Sequence, residues 1–237
     1  GFVSRGLGDV YKRQIILHYN TSKKEALQTK REINKISNCE IIKCDLRNFK
    51  STKKIFSEAK KKFKHINHLI NCASLFENDD LTKFNEKMWN NHINVNAKAP
   101  AILMSEFAKQ KFQKGKNFSI INILDQRVFK LTPFFFSYTV SKMILFNITK
   151  TAAMRLAPNI RVNGIAPGPV IKNARQSDLH FKKQYKNTLL KRQVNKKEIS
   201  NACQFLIENQ NITGQIIAVD SGQSLNWQTK DLININE

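Results

Sequence analysis

Short apolar segments alternate with longer amphipathic ones along nearly the whole chain. This alternation limits the possible fold more than any other feature. Residues 15–19, 40–43, 67–71, 118–124, 160–165 and 215–219 are strand-length and dominated by apolar and β-branched side chains. Residues 23–36, 51–63, 86–112, 137–156 and 196–207 carry helical spacing. Thr21 or Ser22 can cap the first helix, Pro100 demands a local adjustment in the third, and Pro158 stops the fourth. Residues 172–191 read as an irregular polar stretch. Strands separated by helices require right-handed crossovers, so an α/β fold is expected: a doubly wound parallel sheet with helices on both faces. No repeat or linker interrupts it, so residues 15–237 are read as one domain.

Composition narrows the partners. The chain has 237 residues and a formal charge of +22. Such a charge could serve a nucleic-acid-binding protein. Lysine, however, outnumbers arginine and is scattered over many segments, which favours a solvated basic surface that can also draw in an anionic cofactor. Cys39, Cys44, Cys72 and Cys203 form no CxxC pair, so reduced thiols in a cytoplasmic protein are expected. His65 and His68 lack a ligand cluster around them, and no metal is expected. No apolar run reaches the length of a membrane span, and the first residues lack the apolar core of a secretory signal.

The chemistry is concentrated at Tyr138-Thr-Val-Ser-Lys142. Tyrosine and lysine four apart at the start of a helix share one face. An ammonium beside a phenol favours phenolate, so Lys142 is expected to lower the Tyr138 pKa and equip it for proton transfer. The pattern alone is weak, since Tyr19-Asn-Thr-Ser-Lys23 repeats it at a strand end. Its surroundings are more specific. Asn71-Cys72-Ala73-Ser74 closes a strand, and Asn96 sits in Asn94-Val-Asn-Ala-Lys-Ala-Pro100. Asp125 ends Ile120-Ile-Asn-Ile-Leu124, and Arg161-Val-Asn-Gly-Ile-Ala-Pro-Gly168 follows the Tyr138 helix. Thr213-Gly-Gln215 and Asp220-Ser-Gly-Gln223 come last.

This ordered set resembles the short-chain dehydrogenase/reductase family from about Ile15 to Trp227. The resemblance implies a Rossmann-like fold and, in most members, a homotetramer. It implies that Tyr138 is the proton donor, that Lys142 binds the nicotinamide ribose, and that Asn96 supports a proton-relay water. Asn71 and Ala73 would lie near the cofactor, and Asp45 and Leu46 near the adenine. Pro167-Gly168 would flank the nicotinamide, with backbone around Val170 contacting its amide. Where most members have serine, this chain has Asp125, which resembles the pteridine reductase branch. Ser74-Leu75-Phe76 is similar to the segment with which that branch holds a pterin. Phe76 could stack on a flat heterocycle, with Asp125 and Tyr138 at its edge. The first visible strand ends in His18-Tyr-Asn-Thr-Ser22 without an acidic residue; Asn20, Thr21 and Ser22 suit a ribose 2′-phosphate, hence NADPH. The expected reaction is reduction of a dihydropterin or dihydrofolate. Reduction of a ketone such as a 3-oxoacyl thioester and non-catalytic nucleic-acid binding are the alternatives.

Family members begin with a strand, a Thr-Gly-x-x-x-Gly-x-Gly turn and a helix, which need about 30 residues. Only residues 1–14 precede Ile15, and Gly6-Leu-Gly-Asp9 has neither a strand before it nor room for a helix after it. Residues 3–14 resemble a translated adapter remnant. The expectation is therefore a domain without its first strand and glycine-rich loop, which binds NADPH poorly.

Overall fold

The computed structural model describes residues 13–112, 115–173 and 175–227. The 1–14 segment lies mostly outside these residues, including all of Gly6-Leu-Gly-Asp9. The strands are β1 (Ile15–Tyr19), β2 (Cys39–Lys43), β3 (His68–Asn71), β4 (Ser119–Ile123), β5 (Arg161–Pro167) and β6 (Ile216–Val219). The helices are α1 (Lys23–Asn34), α2 (Phe49–Lys62), α3 (Glu86–Ile93), α4 (Ala99–Ala108), α5 (Phe136–Leu156), α6 (Asp178–Lys186) and α7 (Lys196–Glu208). All strand pairs are parallel. β1 pairs with β2, and β3-β4-β5-β6 form a second sheet. Among the described residues no strand pairs between β1 and β3, so those two edges have no strand partner.

β4 shows how the core is divided. All five of its residues are buried. Successive side chains of a strand point to opposite faces. Ile120 joins Phe56, Met104, Phe107, Phe118 and Val162 on the face covered by α2, α4 and α5. Ile121 and Ile123 join Ile165, Ile199, Cys203 and Leu206 on the face covered by α7. A strand buried on both faces reads as a continuous apolar run, as 118–124 does.

Two expectations change. Residues 86–112 are not one α-helix: α3 passes through a π-helical turn, Asn94–Lys98, into α4. Pro100 has no N–H to give the Asn96 carbonyl in the α register, and the helix widens by one residue just before it. The polar stretch 172–191 contains α6, capped by Ser177, whose hydroxyl accepts from the His180 N–H, and anchored by buried Phe181. Its single apolar anchor is too little to reveal a helix by periodicity. Elsewhere, boundaries agree to within a few residues.

All four cysteines are free. Burial pushes the Cys203 thiol up to about 12 and raises those of Cys39 and Cys44. Among the described residues no cluster of three or more metal-ligating side chains occurs, and no helix is long and apolar enough to cross a membrane. His68 Nδ1 instead lies 2.9 Å from Ser119 Oγ. Burial, with Arg13 and Arg161 nearby, lowers its pKa from 6.5 to about 4. The unfolded chain therefore binds more protons between those values. Stability is full above 6.5 and falls as pH drops toward 4, by up to about 3 kcal/mol. His68→Gln should flatten this slope in urea melts at stepped pH; an unchanged slope would assign acid sensitivity to other groups.

Candidate active site

In parallel strands every carboxyl end lies at one edge of the sheet, so Asn71, Ile123 and Pro167 deliver their following loops to the same side. α5 begins beside them. Its entry is held from a distance: the Asp79 carboxylate accepts from the Ser137 N–H with both oxygens at 3.1 Å, and the Asp79 carbonyl accepts from the Phe136 N–H. A carboxylate is favourable at a helix N-terminus. Phe135 turns the chain into the helix in the left-handed region, φ 58° and ψ 50°. A bulky side chain adopts this at a cost of about 1–2 kcal/mol. The turn lets the Phe135 ring stack on Phe76, with centroids 4.6 Å apart and planes 16° apart.

Tyr138 and Lys142 fall one turn apart on the buried side of α5. The phenol donates to Asp125 Oδ2 at 2.8 Å, and the edge of its ring meets Phe76 at 4.6 Å. Asp125 follows β4 and caps a short 3₁₀ turn, accepting from the Arg127 N–H at 2.9 Å. Lys142 Nζ donates to the Ile123 carbonyl at 2.9 Å and sits 5.8 Å from the Tyr138 ring centroid. Tyr138, Lys142, Asp125 and Phe76 are thus brought together, Tyr138 and Lys142 through their helical spacing and Asp125 and Phe76 at positions that the family resemblance singled out.

The electrostatics reverse one expectation. The Tyr138 pKa is raised well above 10, by burial first and then by the Asp125 carboxylate that receives its proton. Lys142 does not offset this, because its ammonium faces a carbonyl and burial lowers its own pKa to about 8. Tyr138 is therefore held protonated, the state a proton donor needs.

Asn96 lies in the π-helical turn. Its Oδ1 accepts from the Leu75 N–H at 2.8 Å and the Ser74 hydroxyl at 3.2 Å. Its Nδ2 donates to the Leu75 carbonyl at 2.9 Å and Ser141 Oγ at 3.0 Å. All four places on the carboxamide are filled, so the side chain pins the Ser74–Phe76 loop to α5. His92 adds a second pin. Its Nε2 accepts from the Glu77 N–H at 3.1 Å, so Nδ1 carries the proton and donates to Ser137 Oγ at 2.6 Å.

The remaining positions lie along the sheet edge. Asn71 Nδ2 donates to Asn122 Oδ1 at 2.8 Å, with Ala73 exposed beyond it. Asn20, Thr21 and Ser22 join β1 to α1; Ser22 occupies the N-cap position without a side-chain capping bond. Asp45, after β2, is clamped by Arg47 at 2.6 Å, which lowers its pKa. Leu46 is buried in the core with Cys44 and Ala99. The Val170 carbonyl accepts from Gln193 Nε2 at 2.7 Å and is already engaged. Gly168 is required by the protein itself: a Cβ there would lie 2.6 Å from Asp220 Cα.

Sequence reasoning gave no role to Asp79, His92, Arg127 and Phe135, and placed Arg175 in a polar stretch read as a substrate lid. Arg127 is two residues from Asp125, and Phe135 sits in the run Phe134-Phe-Phe136; both signals were present without a partner to give them meaning. Arg175 reaches Phe76 and Glu77 only through the fold, its guanidinium contacting the Phe76 carbonyl, the Glu77 carboxylate and the Phe76 ring face.

Comparison with known proteins gives concordant matches. The family model described as enoyl-(acyl carrier protein) reductase, of the short-chain alcohol dehydrogenase type, matches residues 12–224. A 2-dehydro-3-deoxy-D-gluconate 5-dehydrogenase of Escherichia coli is 34% identical over 133 residues, covering 56% of this chain and 53% of that protein. Pteridine reductase 1 of Leishmania tarentolae is 33% identical over 139 residues, 55% of this chain and 48% of that protein. The chain thus spans about half the length of these curated relatives. The fold is similar over much more. FolM alternative dihydrofolate reductase 1 from Brucella suis, solved with NADP, superposes with a TM-score of 0.87 at 37% identity, covering 91% of this chain and 87% of that one.

Proposed function

Because this chain belongs to the short-chain dehydrogenase/reductase family, we propose that it catalyses the NADPH-dependent reduction of a dihydropterin or dihydrofolate. The observation that carries this reading is the Tyr138–Asp125 hydrogen bond beneath the ring of Phe76, with aspartate where most members have serine. Similarity to pteridine reductase 1 and to the FolM protein solved with NADP supports it.

The dinucleotide, when bound, supplies a hydride to the carbon of a C=N bond. Phe76 lies against the flat substrate ring. Tyr138 gives its proton to the substrate nitrogen, and Asp125 orients the phenol and contacts the ring edge. Lys142 holds the ribose. Asn20, Thr21 and Ser22, at a helix N-terminus followed by Lys23 and Lys24, suit a 2′-phosphate. Asp45 and backbone at Leu46 lie toward the adenine. Asn71, Ala73, Pro167, Gly168 and backbone at Val170 line the nicotinamide side. The glycine-rich turn that would hold the pyrophosphate has no counterpart among the described residues. A cytoplasmic homotetramer completes the reading.

The test is NADPH oxidation by the protein from its full reading frame, with dihydrobiopterin, dihydrofolate and an acetoacetyl thioester. Turnover of a pterin or folate is expected, and Phe76→Ala should raise KM for it about tenfold, the scale of one lost stacking contact. Turnover of the thioester alone would replace the substrate class with ketones.

A further inference from the structure

Arg127 is the charged group nearest the site that neither the spacing nor the reading above employs. Its Nη1 lies 3.3 Å from both oxygens of Asp125. Its guanidinium carbon is 5.5 Å from the Phe76 ring centroid and 5.2 Å from that of Phe135. The ion pair is mostly shielded, with side-chain exposures of 18% and 16%. Nε is buried without a hydrogen-bond partner. The side chain is therefore kept in place by the carboxylate and the two rings, and not by a filled set of hydrogen bonds.

We propose that Arg127 is a positioning residue for catalysis: it holds the Asp125 carboxylate as the acceptor of Tyr138 and ties that carboxylate to the aromatic seat formed by Phe76 and Phe135. Charge and planarity serve different ends of this link. The charge anchors the Asp125 carboxylate through an ion pair at 3.3 Å. The plane spans two aromatic rings while one nitrogen still reaches the carboxylate, which an ammonium cannot do. The charged and titratable groups around Asp125 are Arg127, Tyr138 and Lys142, with the His92 ring 6.0 Å behind Tyr138. Arg127 is the cation that opposes the upward push on the phenol.

The proposal rests on the pterin reading for the identity of the ring on Phe76, and the test separates the two. Arg127→Gln and Arg127→Lys are compared with wild type in kcat, in substrate KM and in NADPH affinity. Arg127→Gln should lower kcat/KM roughly 10- to 100-fold, the range of one hydrogen bond to a charged group, through both a lower kcat and a raised substrate KM. NADPH affinity, read by fluorescence quenching, should not change. Arg127→Lys should restore most of kcat but keep the raised substrate KM. An unchanged kcat in Arg127→Gln, or a loss shared equally by NADPH affinity and Tm, would overturn the proposal. Should Arg127→Gln fail to fold, Arg127→Lys decides: a raised substrate KM with kcat near wild type supports it, and wild-type behaviour in both overturns it. A wild type that reduces only the ketone thioester would sink the pterin reading, while the same kcat comparison on that ketone would still judge Arg127.

Discussion

Replacing Tyr138 with phenylalanine is expected to lower kcat by about 100- to 10,000-fold, the contribution of a positioned general acid. Phenylalanine fills the same space on α5 and keeps the edge contact with Phe76, so folding and NADPH affinity should stay near wild type. What disappears is the hydroxyl that donates to Asp125 at 2.8 Å. No other hydroxyl can take over. Ser74 is committed in part to Asn96, and Ser141 donates to the Tyr138 carbonyl at 2.6 Å. Single-turnover kinetics with saturating NADPH would isolate the chemical step. A Tyr138→Phe protein that retains more than about a tenth of wild-type turnover would remove Tyr138 from the proton step.

The second large effect should split activity from stability. Lys142 is 2% exposed, and burial lowers its pKa from 10.5 to about 8. At neutral pH the folded protein carries a buried ammonium, which costs up to about 3 kcal/mol relative to an unburied one. Between about 8 and 10.5 the unfolded chain binds the extra proton, so this penalty is relieved and stability rises with pH. Lys142→Met should abolish that rise. It should also keep or raise the unfolding free energy at pH 7, by roughly 1 kcal/mol net after the Ile123 carbonyl loses its donor. Turnover should fall at least about 100-fold if, as proposed, Lys142 supplies the cation beside the phenol and at the ribose. A destabilised Lys142→Met protein would mean that the bond to Ile123 outweighs the burial cost. Full activity would take Lys142 out of the site.

The two results separate a group that does chemistry from one that the fold holds at a cost. Lys142 and Tyr138 sit on a helix whose first turn is secured by Asp79 and His92 through Ser137, so burying them does not rely on local capping. Phe135 adds a strained backbone at the same junction. Strain of this sort persists only where its surroundings overdetermine it, and here a stacked ring and a guanidinium do so.

Much of this molecule was legible from the residues alone. Strand β1 was read with the boundaries it has, and β4 announced its burial on both faces through its unbroken apolar run. Tyr138 and Lys142 could be placed on one face because helical geometry is local, and Asp125 could be put near them only through the family resemblance. The direction of the Tyr138 pKa could not be read. It depends on where the ammonium points and how deeply the phenol lies, and both are set by contacts between segments far apart in the chain. Asn96 was recognisable as a site residue, but four partners from two other segments made it a structural pin. Arg127, His92 and Asp79 acquire a role only from what the fold lays against them: His92 and Asp79 meet Ser137 across more than forty residues, and Arg127 meets the Phe76 ring across fifty-one. Periodicity along the chain thus determined the elements and their order. The packing of those elements decided which side chains lost water and which charges met, and through that the chemistry of the site.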